Sequence, residues 1–172
     1  MPRIALLPVA VLTAIAPLAL TFVLATPVAA PAQDDSAYLG YRHELMEGIG
    51  SDMGAISDIL KYGLPLTGSI EGHARSMAAL AKIVPAAFER KITEGPTDAK
   101  AEIWSDPDGF AKASAAFAAS TQKLAEVAAT KDAKAIGAQV QAVGKTCGGC
   151  HKQFRKPKEE SYKRDSDDDS SH

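Results

Sequence analysis

The chain holds two cysteines, three residues apart near its C-terminal end, and a histidine follows the second at once: Cys147-Gly148-Gly149-Cys150-His151. Thiols at this spacing can ligate a metal, cycle as a dithiol, or add to an unsaturated ligand. A structural zinc site needs four ligands, yet there is no second thiol pair, and His43, His73 and His172 are scattered. A thioredoxin-like pair belongs to a βαβ context, and no strand-like alternation surrounds this one. The chemistry left is that of C-x-x-C-H, the attachment signal for c-type haem. Each thiol adds across one vinyl group to give a thioether, and the histidine supplies an axial nitrogen to the iron. The expected cofactor is one covalently bound haem c, attached through Cys147 and Cys150, with His151 as the proximal iron ligand. A haem-free thiol-redox or structural protein is the alternative.

A helix would bring three such groups to one side. At about 100° per residue, Cys147 and Cys150 lie roughly 60° apart around the axis and His151 roughly 40° from Cys147. The same side carries Ile136, Val140, Val143 and Phe154, a 3/4 spacing that predicts a helix capped by Asp132 and running to about residue 156. Three further helices are expected. The first spans 34–61, with Leu39, Arg42, Met46, Ile49, Met53, Ile56 and Leu60 on one stripe. The second starts near Ser69, carries Ile70, His73, Met77, Leu80 and Val84, and is ended or kinked by Pro85. The third starts at Ser105 or Asp106, has Pro107 in its first turn, and ends near Thr130. Its apolar face is Phe110, Ala113, Phe117, Leu124 and Val127. Residues 93–109, rich in turn formers, make the longest connection. The fold class expected is all-α, an antiparallel four-helix bundle with its haem near the C-terminal end of helix four.

The ends of the chain read differently. An apolar run, IALLPVAVLTAIAPLALTFVLA, follows a single charge at Arg3 and leads to Ala30-Pro31-Ala32, a small-residue cleavage site. Residues 1–32 are expected to be a secretory signal peptide; an uncleaved membrane anchor is the rival reading. The bundle would then occupy 33–156, and the polar, charged residues 157–172 a disordered tail. A formal charge of −2 over 172 residues gives no reason to expect nucleic acid as a partner. No nucleophile, base and orienting group converge in the sequence, so an enzyme is not expected.

The segments YRHELMEGIGSDMGAI, EIWSDPDGF and GKTCGGCHKQFR resemble the cytochrome c-prime family, most closely its c-556 type, over about residues 36–156. The resemblance implies a bacterial, periplasmic protein with one haem per chain, often a homodimer. It also implies a role for Met46, one turn from Arg42. In the c-556 type a methionine here binds iron opposite the histidine, giving a low-spin haem suited to carrying single electrons. In c-prime proteins proper the sixth position is empty, the residue here crowds it, and the iron takes nitric oxide or carbon monoxide. The leading expectation is the His151/Met46-ligated electron carrier, and the alternative is the gas binder. Met53 is the second candidate ligand on that stripe. A charged Arg42 on an apolar stripe needs a partner, and either a haem propionate or solvent would serve. Lys145, Lys152, Arg155, Lys156 and Lys158 surround the motif and could steer an acidic redox partner or simply be a solvated face.

Overall fold

The structure is a computed structural model that describes residues 34–162. The expected signal peptide, and the tail from residue 163 with His172, lie outside the described residues. Five helices follow one another: α1 (Asp35–Tyr62), α2 (Ile70–Ala87), the single turn α3 (Glu102–Ser105), α4 (Pro107–Ala129) and α5 (Ala133–Phe154). The described residues are all-α, and their one strand-like feature is an isolated bridge between Ala99 and Arg155.

Local chemistry explains where the helices begin and end. Asp34, Asp106 and Asp132 each turn a carboxylate onto amides of the first turn that have no partner within the helix: Ser36 at 3.0 Å, Gly109 at 3.0 Å, and Lys134 and Ala135 at 2.9 and 3.1 Å. A Cβ at Gly109 would sit 2.0 Å from the Asp106 carboxylate, so a larger residue there would push the capping side chain aside. Gly63, at φ +60°, ends α1 in the left-handed conformation, and the next amide reaches back to the Ile59 carbonyl at 3.0 Å.

α2 ends two residues past Pro85, at Ala87, in line with a proline that has no amide to donate to the carbonyl one turn back. One expectation changes. The connection after α2 is not wholly irregular. It contains α3, whose Trp104 donates its indole N–H to the Phe88 carbonyl at 2.7 Å.

The long helices pack α1 on α2, α2 on α4 and α4 on α5, whereas α1 and α5 touch only sparingly. The core of Ile56, Ile70, Met77, Leu124, Ile136 and Val143 is sealed from solvent. On α1 the buried residues include Leu45, Ile49, Ile56 and Ile59, while Met46 and Met53 are only half-buried. The single stripe expected for α1 is therefore two adjoining faces. One builds the core and the other borders the gap toward α5.

Candidate functional site

That gap is a cavity of about 480 Å3, within the roughly 300–1,000 Å3 usual for small-molecule and cofactor sites. From α5 it is lined by Cys147, Cys150, His151 and Phe154, and from α1 by Arg42, Met46 and Met53. Both thiols are free and half-buried, packed against the apolar core. Burial pushes both thiol pKa values up, and for Cys150 the neighbouring Cys147 adds to it. A raised pKa suppresses the thiolate, which argues against the haem-free thiol-redox reading. His151 keeps an exposed face, and partial desolvation, then the charge of Arg155, lowers its pKa. A neutral imidazole is the form that binds iron.

The cavity also has one polar atom without a partner. Ser114 on α4 is 3% exposed and lines the cavity, and its Oγ has no hydrogen bond, alone among buried side-chain polar atoms of the described residues. Thr121, two turns on, satisfies its own hydroxyl with the Phe117 and Ala118 carbonyls at 3.1 and 3.0 Å. A roomy apolar cavity with two thiols, an imidazole and an unused hydroxyl fits a bound haem.

Arg42 has partners within the protein. It is 4% exposed, and its Nε donates to the Ala87 carbonyl at 2.8 Å, Nη1 to Ile92 at 3.4 Å and Nη2 to Arg90. Its guanidinium lies 4.9 Å from the Phe88 ring centroid and 5.4 Å from that of Trp104. Burial lowers its pKa, opposed by the charge of Asp35. The buried charge thus has its partners in carbonyls at and beyond the end of α2 and in two aromatic faces. Neither solvent nor a propionate is needed to compensate it.

His73 and His43 have partners of their own. His73 Nδ1 lies 2.9 Å from Asp52 Oδ1, pinning α2 to α1. His43 Nδ1 lies 3.3 Å from the Tyr162 hydroxyl. Two members of the basic collar serve the fold: Arg155 pairs with Asp98 at 3.0 Å, and Lys156 Nζ donates to the Thr97 carbonyl at 3.0 Å.

Asp98 was not singled out by sequence reasoning. Its carboxylate accepts from Arg155, from Ser161 Oγ at 3.0 Å and from the Tyr162 amide at 3.1 Å. Burial pushes its pKa up, but the hydrogen bonds from Arg155, Tyr162 and Ser161, with the charge of Arg155, outweigh this and hold it below its ordinary value. Residues 157–162, expected to be disordered, are therefore held in place by one carboxylate and include a 3-10 turn at Lys158–Glu160. Asp98→Asn is expected to cost about 1 kcal/mol at neutral pH. The folded pKa is the depressed one, so this stabilisation is complete above the unfolded value near 3.8 and fades as pH falls through the folded value. Denaturant titrations of both proteins at neutral pH and under acid should show the difference shrink.

With the geometry in place, comparison with known proteins decides the family. The model of the family described as cytochrome c′ matches residues 37–155. The chain belongs to the cytochrome c′ family. Cytochrome c′ of Rhodospirillum rubrum is 38% identical over 133 residues, covering 77% of this chain and 90% of that one. A nitric oxide complex of a variant cytochrome c prime from Alcaligenes xylosoxidans superposes with a TM-score of 0.66 at 28% identity, over 72% of this chain and 96% of that one. A carbon monoxide-bound variant of the same protein gives a TM-score of 0.65 at 28% identity, over 71% and 96%. As a cytochrome c′ the chain is a c-type haem protein with one covalently bound haem in a four-helix bundle, and its long helices are α1, α2, α4 and α5.

Proposed function

We propose that this protein is an exported, periplasmic haem c protein that binds nitric oxide or carbon monoxide. Cys147 and Cys150 would hold the haem as thioethers, and His151 would be its one axial protein ligand. The haem, when bound, supplies an iron that takes a small diatomic ligand. Met46, on α1, narrows the cavity without ligating, and the apolar packing around it admits small neutral molecules and disfavours charged ones. The observation that supports this reading is the likeness to variants of cytochrome c prime solved with nitric oxide and with carbon monoxide. The location rests on the leader-like residues 1–32. No catalytic constellation is part of this reading.

The test is an absorption spectrum of the haem-matured protein, oxidised and reduced, with and without carbon monoxide. A high-spin spectrum that shifts with the gas is the expected result. Met46→Ala should then speed carbon monoxide association about tenfold, equivalent to removing roughly 1.4 kcal/mol of steric barrier.

One observation favours a second reading. The Met46 thioether shares the cavity with His151 and both thiols, as a His/Met-ligated electron carrier requires. That reading predicts a low-spin wild type that ignores carbon monoxide and a Met46→Ala variant that binds it.

A further inference from the structure

We propose that the segment following the family-matched region is a strap that supplies a wall of the haem cavity, with Tyr162 closing the rim and Asp98 anchoring it. This rests on the haem reading above. The family match ends at residue 155, but the next seven residues do not leave the fold. The Lys156 amide donates to the Asp98 carbonyl at 2.7 Å. Pro157 and the 3-10 turn then fold the chain back, so that Ser161 and Tyr162 both reach the carboxylate of the same Asp98. Asp98 therefore holds the segment at its start through its backbone and at its end through its side chain.

The strap delivers one aromatic side chain to the site. Tyr162 is half-buried and lines the cavity that contains Cys147, Cys150 and His151. Its amide is bonded to the Asp98 loop and its hydroxyl pairs with His43 on α1, so the residue bridges two sides of the rim. His43 and Asp98 line the same cavity. A tail merely lying on the surface would be held by scattered contacts. This one is held by a carboxylate only 11% exposed, whose partners are Arg155, one turn beyond His151, and the strap itself. A strap in that place limits how reagents from solvent reach the haem.

The test compares haem-loaded full-length protein with a chain ending at Tyr162, a chain ending at Lys156, and the point variants Asp98→Asn and Tyr162→Ala. Two quantities are read: hydrogen exchange of the Lys156 and Tyr162 amides, and the rate of reduction of the ferric protein by dithionite, a small anionic reductant. Both amides should be protected in the full chain. Asp98→Asn should release the Tyr162 amide. Reduction should be several-fold faster in the chain ending at Lys156 and in Tyr162→Ala, and unchanged in the chain ending at Tyr162. Equal reduction rates in the full chain and the chain ending at Lys156 would overturn the proposal, as would an unprotected Tyr162 amide in the full chain. The reduction rate reports access whatever stands at the sixth position, so a failure of gas binding is a separate result from a failure of the strap.

Discussion

A chain carrying both Cys147→Ala and Cys150→Ala is expected to lose all covalently attached haem and most of its stability. Without thioethers, haem staining after denaturing electrophoresis should fall to background, and acid–organic extraction should remove any haem that binds. Each single variant should retain one thioether, and its pyridine haemochrome should absorb at longer wavelength because one vinyl group stays conjugated. The stability loss follows from the cavity. The apolar side chains that line the space of about 480 Å3 lose their packing partner without haem, and any part left dry and empty costs roughly 24 cal/mol per Å3. The haem-free chain must therefore collapse the gap between α1 and α5 or let water in, and either loosens the native packing. A thermal melt of the double variant should lie more than about 10 °C below that of the haem-loaded protein. A haem-free variant as stable as the parent would show that the helices close the gap unaided.

Replacing Arg42 with leucine should destabilise the protein by about 3–5 kcal/mol. The change leaves the carbonyls of Ala87, Arg90 and Ile92 without this donor, in surroundings where water cannot fully replace it. It also removes the cation held against Phe88 and Trp104, so the turn after α2 and the short α3 lose a common anchor. Arg42→Lys keeps the charge, but a single ammonium cannot match the guanidinium fork or stack between the rings, and it should recover less than half of the loss. Denaturant unfolding measures both. The haem absorption of whatever remains folded should match the parent. A variant of near-normal stability with a strongly altered haem spectrum would instead put Arg42 in the service of the haem.

The part of this protein legible from residues alone is the part governed by short-range chemistry. Helix periods, the Asp132 cap and the C-x-x-C-H spacing all act within a turn or two of the chain. They suffice for the all-α class, the four long helices and the haem-attachment face of α5. His73 at the core edge was legible for the same reason, since its stripe places it there whatever its partner.

What the sequence could not carry is how far apart the helices stand and what meets across them. The division of the α1 stripe into a core face and a cavity face depends on the separation of α1 from α5, and no periodicity encodes that. The partners of Arg42 lie 45 to 50 residues away, and three carbonyls look no different in sequence from any others. Asp98 drew no notice because a single aspartate in a turn-rich segment is ordinary until Arg155, Ser161 and Tyr162 arrive from 57 to 64 residues on. The strap was read as disorder because it has no apolar stripe, and it is held by hydrogen bonds instead. Ser114 and Thr121 look equivalent on α4, and only the cavity beside one of them tells them apart. Sequence determined the helices and the chemistry that one of them carries. Tertiary structure decided the space in which that chemistry takes place, because burial and long-range hydrogen bonds exist only once distant segments have met.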